Sequence, residues 1–571
     1  MKAVKIILSI FLGVLTAPTS IAQDLMAPIG LKVQIENSDT VIEGLVVEKS
    51  SFLNGGHIFT RNTIRVVKTY KGTSPAVIEL ITKGGFIALK GEVVNPSLQL
   101  SVGDRGVFLL VQNDDLSFDT FANKQSFYRF NELDATVSNP FEEYQSYDEA
   151  FVPVLLSTTK QTPKVIDASI DRVLFKIVKR SIAGAITSFT PTSLSAGTFT
   201  VLTINGSGFG TTKGDVLFSN ADDGGKTAIY VLKSLITSWT DTQIKVKVPF
   251  EAGTGNIAVK TSSGTVMGAT QPLTISYSQI NLPNGNGIYP TYHVNRNNLG
   301  GYTWEMNKDF YANSDAKAAF ERAFNAWKCA VGINWNISNT TTTLTAISDD
   351  GHNVITFTNA LGTGVLGECT NYYSGGYNSN NELMAYVTGF DIGFKSTVNW
   401  NYSSSAPTAT QFDFESTVLH ELGHGLQLHH VIAPNELMHY YKGVGSSFRT
   451  ITTAALIGAK DIISRDLSAN LTNVAIKITL FDTSTCSLNN VSFTQNNFII
   501  YPNPSTGFFT IQAESEDAIQ VTVVNLIGET VYQSTSNEAK LIVDIKDVAS
   551  GVYIVKIKTK EGLVIKKIVK E

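Results

Sequence analysis

Five of the eight histidines in this 571-residue chain lie between positions 420 and 439. They include the run His420-Glu421-Leu422-Gly423-His424. Because residues four apart share one face of a helix, His420 and His424 can present both imidazoles to a single ion. Neutral imidazole suits Zn2+, and Glu421 lies close enough to take a proton from a zinc-bound water without ligating the metal. The pattern therefore predicts a zinc site with hydrolytic chemistry.

The segment that follows can supply a third nitrogen ligand. The histidines resemble the zinc motif of the metzincin metalloproteases, H-E-x-x-H-x-x-G-x-x-H, whose last histidine would be His430. Gln427 stands where that motif has glycine, and a left-handed backbone there would cost about 1 kcal/mol or more. Gly425 offers an earlier bend, or the helix could run on. We expect His430 as the third ligand, with His429 as its competitor.

These residues resemble the zinc motif of the metzincin metalloproteases and, within them, of the matrixin-like enzymes. The resemblance covers residues 280–470. It implies a zinc metalloendopeptidase in which His420, His424 and His430 hold Zn2+. It further implies that Glu421 is the general base and that the partner is a protein or peptide substrate.

Residues downstream extend the resemblance. The run at 436–440 resembles the metzincin Met-turn, in which Met438 would pack beneath the ligands. Tyr440 matches the switch tyrosine of astacin- and serralysin-like enzymes, although matrixins usually have proline there. This match implies a second catalytic residue that hydrogen-bonds the tetrahedral oxyanion. We also expect Ca2+ as a structural cofactor, although no D-x-D-x-D-G loop occurs in the sequence.

The elements that must position these side chains lie in an α+β region at residues 278–472. A helix over 316–329 is predicted by apolar residues that recur at three- and four-residue spacing. These residues are Ala319, Phe320, Ala323, Phe324 and Trp327. A second helix, over 414–428, would carry the zinc motif. We expect this region to be the metzincin catalytic domain.

Most of the remaining chain has β-type patterns. Short strand-like runs separated by turns predict a β-rich N-terminal domain at residues 23–180, either a sandwich or a barrel. Residues 181–277 resemble the IPT/TIG family, most specifically through the Gly-Ser-Gly-Phe-Gly run at 206–210. That resemblance implies an immunoglobulin-like β-sandwich used as a spacer or binding module. A linker is expected at 473–497.

Both ends of the chain carry export signals. Residues 1–22 are typical of a signal peptide, because two lysines precede an apolar run too short to span a bilayer. Residues 498–571 resemble the C-terminal sorting domain of the type IX secretion system of Bacteroidetes, through Tyr-Pro-Asn-Pro at 501–504 and Ser-Gly-Val-Tyr at 550–553. This implies a C-terminal β-sandwich recognised by that secretion machinery. We expect a secreted or cell-surface protein, exported through the outer membrane.

Composition excludes several other classes of protein. The formal net charge of -5, from 44 Lys+Arg and 49 Asp+Glu, argues against a nucleic-acid partner. No stretch after the signal peptide has 18 consecutive apolar residues, so no membrane span is predicted. Three cysteines are too few for a disulfide scaffold. Cys329 and Cys369 could pair in one domain, which would leave Cys486 single.

The sequence therefore predicts four folded parts, in the order β-rich domain, immunoglobulin-like β-sandwich, α+β metzincin domain and C-terminal β-sandwich. The predicted function is a secreted zinc-dependent endopeptidase that hydrolyses peptide bonds through a zinc-activated water. The alternative is a cell-surface adhesion protein with a vestigial, non-catalytic metal site. Glu421 favours the enzyme, because a structural zinc site normally has four protein ligands and this motif supplies three and an acid.

Overall fold

The structure is a computed structural model. It describes residues 26–131, 136–169, 184–284, 287–440, 443–486, 498–512, 519–525, 529–536, 538, 540–559 and 562–571. The predicted signal peptide and residues 487–497 of the predicted linker lie outside these ranges. The chain divides into two compact units, Met1–Thr483 and Ser484–Glu571. Among the described helices, none combines the length and the apolarity needed to cross a membrane.

The N-terminal part is a small barrel with two helices against it. Strand β1 pairs with both β2 and β6, which closes the path β1-β2-β3-β7-β6 on itself. One apolar cluster includes Ile64 and Phe108, and a second, with Phe151, packs beneath the helices. The strands are β1 (Thr40–Asn54), β2 (His57–Lys71), β3 (Val77–Lys83), β4 (Gly85–Ile87), β5 (Lys90–Asn95), β6 (Arg105–Gln112), β7 (Phe118–Thr120), β8 (Phe127–Phe130), β9 (Val137–Ser138), β10 (Glu143–Tyr144) and β11 (Lys164–Val165). The helices are α1 (Leu31–Asn37) and α2 (Val152–Thr159).

The second part consists of two four-stranded sheets and one shared edge. The sheets have the orders β12-β14-β18-β17 and β16-β15-β19-β20, while β21 pairs with β13 and with a strand of the next part. Alternating side chains such as Leu202, Ile204, Ile244 and Val246 fill the core. The strands are β12 (Ala185–Thr190), β13 (Ser193–Ala196), β14 (Val201–Ser207), β15 (Asp215–Ser219), β16 (Ala228–Tyr230), β17 (Ile236–Trp239), β18 (Gln243–Lys247), β19 (Ala258–Lys260), β20 (Val266–Gly268) and β21 (Thr274–Gln279).

The third part, residues 281–468, is called the mixed region here because it combines a sheet with helices. The sheet has the order β25-β24-β26-β28-β27 and continues into β5 and β4 of the N-terminal part. Strand β27 is antiparallel to both β28 and β5. The strands are β22 (Asn281–Asn284), β23 (Gly287–Tyr292), β24 (Tyr302–Met306), β25 (Trp335–Ile337), β26 (Val354–Thr358), β27 (Gly367–Tyr377), β28 (Leu383–Lys395), β29 (Trp400–Asn401), β30 (Phe412–Asp413) and β31 (Leu428–His429).

Four helices complete the mixed region: α3 (Lys308–Ala312), α4 (Ser314–Val331), α5 (Phe414–Gly425) and α6 (Thr453–Ser468). Helix α4 begins where the side chain of Asn313 accepts the Ala316 N–H and ends at Gly332, whose φ is +70°. Its buried face includes all five apolar residues of the predicted pattern, so that prediction is confirmed. Helices α4 and α5 contribute to one core, in which Trp327 donates a hydrogen bond to the Leu419 carbonyl.

The C-terminal unit is a separate two-sheet β structure. Its sheets have the orders β32-β33-β36 and β35-β34-β37-β38. Phe509, Ile511, Val523 and Val555 belong to the core that its strands share. The strands are β32 (Ile499–Tyr501), β33 (Phe508–Gln512), β34 (Ile519–Val524), β35 (Thr530–Ser536), β36 (Lys540–Asp544), β37 (Gly551–Thr559) and β38 (Gly562–Lys570).

The cysteine pairing considered from the sequence is wrong. Cys369 is a free thiol on β27 and is fully buried in the core of the mixed region. Cys329 is disulfide-bonded, and Cys369 is not its partner. Burial raises the pKa of the Cys369 thiol well above its ordinary value, and the nearby Glu421 carboxylate raises it further. Cys369 therefore behaves as a small apolar core residue.

Candidate metal centre

Helix α5 carries the first two histidines of the site. Asp413 caps its start, since the Asp413 carboxylate accepts the Ser416 N–H at 3.0 Å. Every residue of the helix is buried, so His420 and His424 face protein on all sides. Their ring centroids are 4.7 Å apart, as expected for side chains one helical turn apart on one face.

The chain turns at Gln427 and brings a third histidine back to the helix. Helix α5 ends at Gly425, three residues before the predicted end, and Gln427 takes a left-handed backbone with φ +67°. Its side chain is held on both ends, because the Tyr373 hydroxyl donates to Gln427 Oε1 at 2.8 Å and Gln427 Nε2 donates to Asn371 Oδ1 at 3.1 Å. These bonds offset the conformational cost that the sequence indicated for a non-glycine residue here.

Three imidazoles meet at one point. One ligand nitrogen from each of His420, His424 and His430 lies within 4.8 Å of the others, and Nε2 of His420 is 3.3 Å from Nε2 of His430. The structure thus brings together the three predicted ligands, with His430 rather than His429 completing the set. All three residues are at most 2 % exposed.

The outer nitrogen of each ring is held by an acceptor. His420 Nδ1 lies 2.9 Å from the Leu437 carbonyl, and His424 Nδ1 lies 2.9 Å from the Leu428 carbonyl. Because a carbonyl only accepts, each Nδ1 carries the proton and donates it. His430 Nδ1 lies 2.5 Å from the carboxylate oxygen Oδ1 of Asp222. These bonds direct the Nε2 lone pairs toward one point, which is how metal-ligating histidines are commonly oriented.

The donor set fits Zn2+. Nε2 of His424 is buried and has no hydrogen-bond partner among the residues that the structure describes, which is costly unless a hydrogen-bond donor or a cation takes its lone pair. Burial holds the pKa of His424 well below its ordinary value, and the neighbouring His430 lowers it further. The ring is therefore neutral near pH 7, the form that binds a metal. Histidine nitrogens are ligands that zinc prefers.

His429 is not one of the three converging histidines, although its ring lies next to that of His430, 5.3 Å away between centroids. Its Nε2 lies 3.8 Å from Asp222 Oδ1, and its ring meets Phe250 edge-on at 4.9 Å between centroids. Burial lowers the pKa of His429 to about 4. Burial alone would raise the pKa of Asp222, but His429 and His430 beside it hold that pKa below its ordinary value. Asp222 is therefore a carboxylate placed against two imidazoles.

The other predicted site residues lie on helix α5 or close to the site. Glu421 is fully buried and faces Gly367 of β27, where a Cβ would lie 3.4 Å from Glu421 Oε1. The sulfur of Met438 packs against Gly423, beneath the helix. Tyr440 is 8 % exposed, and its hydroxyl lies against Gly224.

The sequence did not reveal Asp222. It lies in the turn between β15 and β16, and 208 residues separate it from His430. Its neighbours Asn220, Asp223 and Gly224 are typical of any surface turn. Long-range proximity of this kind leaves no local pattern, so no signal in the single sequence could have identified it.

A cavity of about 490 Å³ lies beside the contact between Asp222 and the histidines. Its wall includes His429, His430 and Asp222 from that contact and Arg129 from the N-terminal barrel. Glu251 also lines it, and burial raises the pKa of that carboxyl to about 7. The cavity therefore joins the three parts of the first compact unit at the edge of the metal centre.

Two parts of the chain match known families. The model of the secretion system C-terminal sorting domain matches residues 499–571, and the model of the IPT/TIG domain matches residues 185–277. Both resemblances found in the sequence are confirmed. The sorting domain shows export through the outer membrane, to the cell surface or beyond, with the type IX secretion machinery as a partner.

Relatives share only short segments with the chain. A cyclomaltodextrin glucanotransferase of Thermoanaerobacterium thermosulfurigenes is 38 % identical over 135 residues, which are 24 % of this chain and 16 % of the relative. One from Niallia circulans is 52 % identical over 66 residues, 12 % and 8 % of the two chains. Ulvan lyase NLR42 of Nonlabens ulvanivorans is 35 % identical over 66 residues, 11 % and 12 % of the two chains. The chain thus spans less than a fifth of the length of each of these proteins.

A solved structure matches one segment. PorZ, a surface component of the type IX secretion system of Porphyromonas gingivalis, is 21 % identical over 14 % of this chain and 12 % of its own, with a TM-score of 0.13. This score is too low to support a conclusion about the fold.

The prediction of a matrixin-like zinc metalloendopeptidase is wrong. The relatives described above that match at the highest identity are cyclomaltodextrin glucanotransferases, over short segments, and not metalloproteases. The two family matches lie outside the mixed region. The prediction relied on a short motif, and the spacing of three histidines specifies metal ligands without specifying solvent access or a reaction. The catalytic roles expected for Glu421 and Tyr440 depended on that activity, and we therefore propose no catalytic role for either residue.

Proposed function

We propose that this chain is an exported surface-binding protein that holds one Zn2+ ion in a non-catalytic site. The ligands are Nε2 of His420, His424 and His430. The observation that carries the proposal is the convergence of three Nε2 atoms whose rings are oriented by hydrogen bonds at Nδ1. This is the adhesion-protein alternative from the sequence, with the metal stabilising the fold.

Burial supports a structural role for the ion. A catalytic zinc site keeps one coordination position open to substrate. Here each ligand residue is at most 2 % exposed, and the Asp222 carboxylate lies against the outer ring nitrogen of His430. A buried ion between histidines would stabilise the folded chain by the free energy of metal binding.

The sorting domain and the IPT/TIG domain support a role at the cell surface. The sorting domain directs the chain through the outer membrane, and the IPT/TIG domain belongs to a class of sandwich folds that is common in cell-surface proteins. In this account the three parts of the first unit form one surface-exposed body, held together in part by the metal. Structural Ca2+ stays a prediction.

The test is the zinc content of the purified full chain. We expect one zinc per chain for the wild type, and less than a tenth of that for His424→Ala. His352→Gln is the matched control, because the His352 side chain is half-exposed and, among the described residues, hydrogen-bonds Glu305 alone, while its backbone N–H donates to Asp350. Wild-type protein without zinc would overturn the proposal, as would a His424→Ala variant that retains zinc.

The surface role has its own test. Cells that produce the full chain are compared with cells that lack it in an attachment assay on coated glass. We expect attachment to fall when the chain is absent and when His420, His424 and His430 are all changed to alanine. Equal attachment in all three strains would contradict the adhesive role and leave zinc binding unaffected.

A further inference from the structure

The turn that carries Asp222 is fixed within the IPT/TIG domain. Residues Ala221–Asp223 form one turn of 3-10 helix, and the side chain of Asn220 accepts the Asp222 N–H at 3.0 Å. Asn220 Nδ2 also donates to Asp223 Oδ2 at 3.1 Å. The Asp222 carboxylate is therefore presented by its own domain and does not depend on the mixed region for its position in the turn.

The contact with His430 differs from those of the other two ligands. His420 and His424 donate to backbone carbonyls of the mixed region itself. His430 donates to a carboxylate of another domain, at 2.5 Å between Nδ1 and Oδ1. A charge-assisted bond of this kind is about twice as strong as a neutral one. It also raises the basicity of the ring and thereby the strength of its Nε2 as a ligand.

The surrounding contact surface is closely packed. A Cβ at Gly224 would lie 2.5 Å from the Tyr440 hydroxyl, and the side chain of Ile432 fills the space beside Gly225 and Gly253. Strand β21 of the IPT/TIG domain pairs with β31, where Ser278 lies opposite His429. The domain is thus seated directly on the segment that follows the zinc motif.

The same contact argues against a second ion between Asp222, His429 and His430. These three also form a possible metal-holding group. Two ligands on one tetrahedral zinc, with bonds of about 2.0–2.1 Å, are roughly 3.3 Å apart. The 2.5 Å between Asp222 and His430 is a hydrogen-bond distance and is too short for two ligands of one ion.

We propose that Asp222 is a positioning residue of the zinc centre, through which metal binding and docking of the IPT/TIG domain are coupled. The inference rests on the proposed zinc binding. Asp222 orients His430 and strengthens it as a ligand, so loss of the carboxylate weakens metal binding. Because coupling between two binding events is reciprocal, bound zinc holds the IPT/TIG domain on the mixed region by the same factor.

The test measures zinc affinity of the full chain by competition with a chromophoric chelator. We expect Asp222→Ala to raise the Kd for zinc by 10- to 100-fold, the range typical of partners that orient metal ligands. Asp222→Asn keeps an oxygen acceptor without the charge and should give an intermediate Kd. Asp241→Asn is the matched control, because Asp241 is an exposed carboxylate of the same domain that accepts the Gly210 N–H.

Hydrogen exchange provides the second measurement. Zinc should slow amide exchange at residues 220–225 at least threefold in the wild type and in Asp241→Asn, and not in Asp222→Ala. If the wild type binds no zinc, the proposed function fails. If the wild type and Asp222→Asn have the same Kd for zinc and the same zinc-dependent slowing of amide exchange at residues 220–225, the proposed zinc binding is retained and the proposed coupling is wrong. Asp222→Asn gives this answer even if Asp222→Ala does not fold.

Discussion

Nε2 of His420 lies 3.3 Å from Nε2 of His430, although both rings donate a proton from Nδ1 to another acceptor. This spacing equals the roughly 3.3 Å expected between two nitrogen ligands of a tetrahedral zinc. The apposition of the two Nε2 atoms is therefore the geometry that the proposed Zn2+ site requires.

Removal of the metal should destabilise the mixed region. A ligand at 100 times its Kd stabilises the folded state by about 2.7 kcal/mol. Four of the five tryptophans lie in this region, and Trp304, Trp327 and Trp335 are fully buried there, so tryptophan fluorescence during urea unfolding reports mainly on it. We expect chelation to lower the unfolding midpoint of the wild type. An equal zinc-dependent shift in His424→Ala would show that the stabilisation comes from another site.

Gln427→Gly should destabilise the bend that places His430. Glycine relieves a left-handed conformation at a gain of about 1 kcal/mol, but the change removes the bonds to Tyr373 and Asn371, each contributing about 1 kcal/mol. We expect a net loss of roughly 1 kcal/mol in unfolding free energy and a weaker zinc affinity. Asn381→Gly is the control, because Asn381 has φ +60° on an exposed turn. A stabilised Gln427→Gly variant would contradict this account.

Gly224→Ala should loosen the contact between the IPT/TIG domain and the mixed region. Gly224 has φ +72°, and an added Cβ would lie 2.5 Å from the Tyr440 hydroxyl. Gly210→Ala is the matched control, since Gly210 has φ +77° and nothing within 4 Å of an added Cβ. We expect the control to cost about 1 kcal/mol from backbone strain and Gly224→Ala to cost more, measured by urea unfolding. Adding Tyr440→Ala should recover part of the excess, and strict additivity would show that the two residues do not interact.

Stability should fall as the pH rises because of Asp391. Burial raises the pKa of this carboxyl to about 8, although the Val354 and Ser348 N–H groups donate to it. The folded state therefore holds a proton that the unfolded chain, with an ordinary Asp pKa near 3.9, releases. Stability from this group is complete below about pH 4 and is lost toward pH 8, by at most about 1.4 kcal/mol per pH unit.

Asp391→Asn provides the comparison for this pH dependence. Its unfolding free energy, followed by tryptophan fluorescence from pH 4 to pH 8, should decline less steeply than that of the wild type. Parallel curves for the two proteins would mean that Asp391 titrates in the folded state as it does in the unfolded chain.

Zinc-loaded protein should not cleave casein. The three ligand residues are at most 2 % exposed, and in the proposed non-catalytic site the ion does not bind a substrate. We expect the fluorescence of dye-labelled casein to stay at the level given by Glu421→Gln. Zinc-dependent cleavage that Glu421→Gln abolishes would restore the hydrolytic interpretation.

Local features of the site were predictable from the sequence. The positions of His420 and His424 follow from the period of a helix, and the apolar face of α4 follows from the same period. The sequence also indicated the conformational cost at Gln427. The bonds from Tyr373 and Asn371 that offset this cost come from β27, more than 50 residues away, and could not be foreseen.

Contacts between distant segments could not be predicted from the sequence. Strand β5 extends the sheet by pairing with β27, and alternation of apolar residues predicts a strand without naming its partner. Asp222 reaches His430 across 208 positions. The zinc motif likewise identifies candidate ligands and leaves open what covers them, and the structure shows that all three histidines are buried.

X-ray absorption at the zinc edge of the purified full chain tests whether His420, His424 and His430 bind one Zn2+ ion. We expect one zinc per chain, with three imidazole nitrogens at about 2.0–2.1 Å and loss of that signal in His430→Ala. A spectrum with sulfur ligands near 2.3 Å, or an unchanged nitrogen shell in His430→Ala, would contradict it.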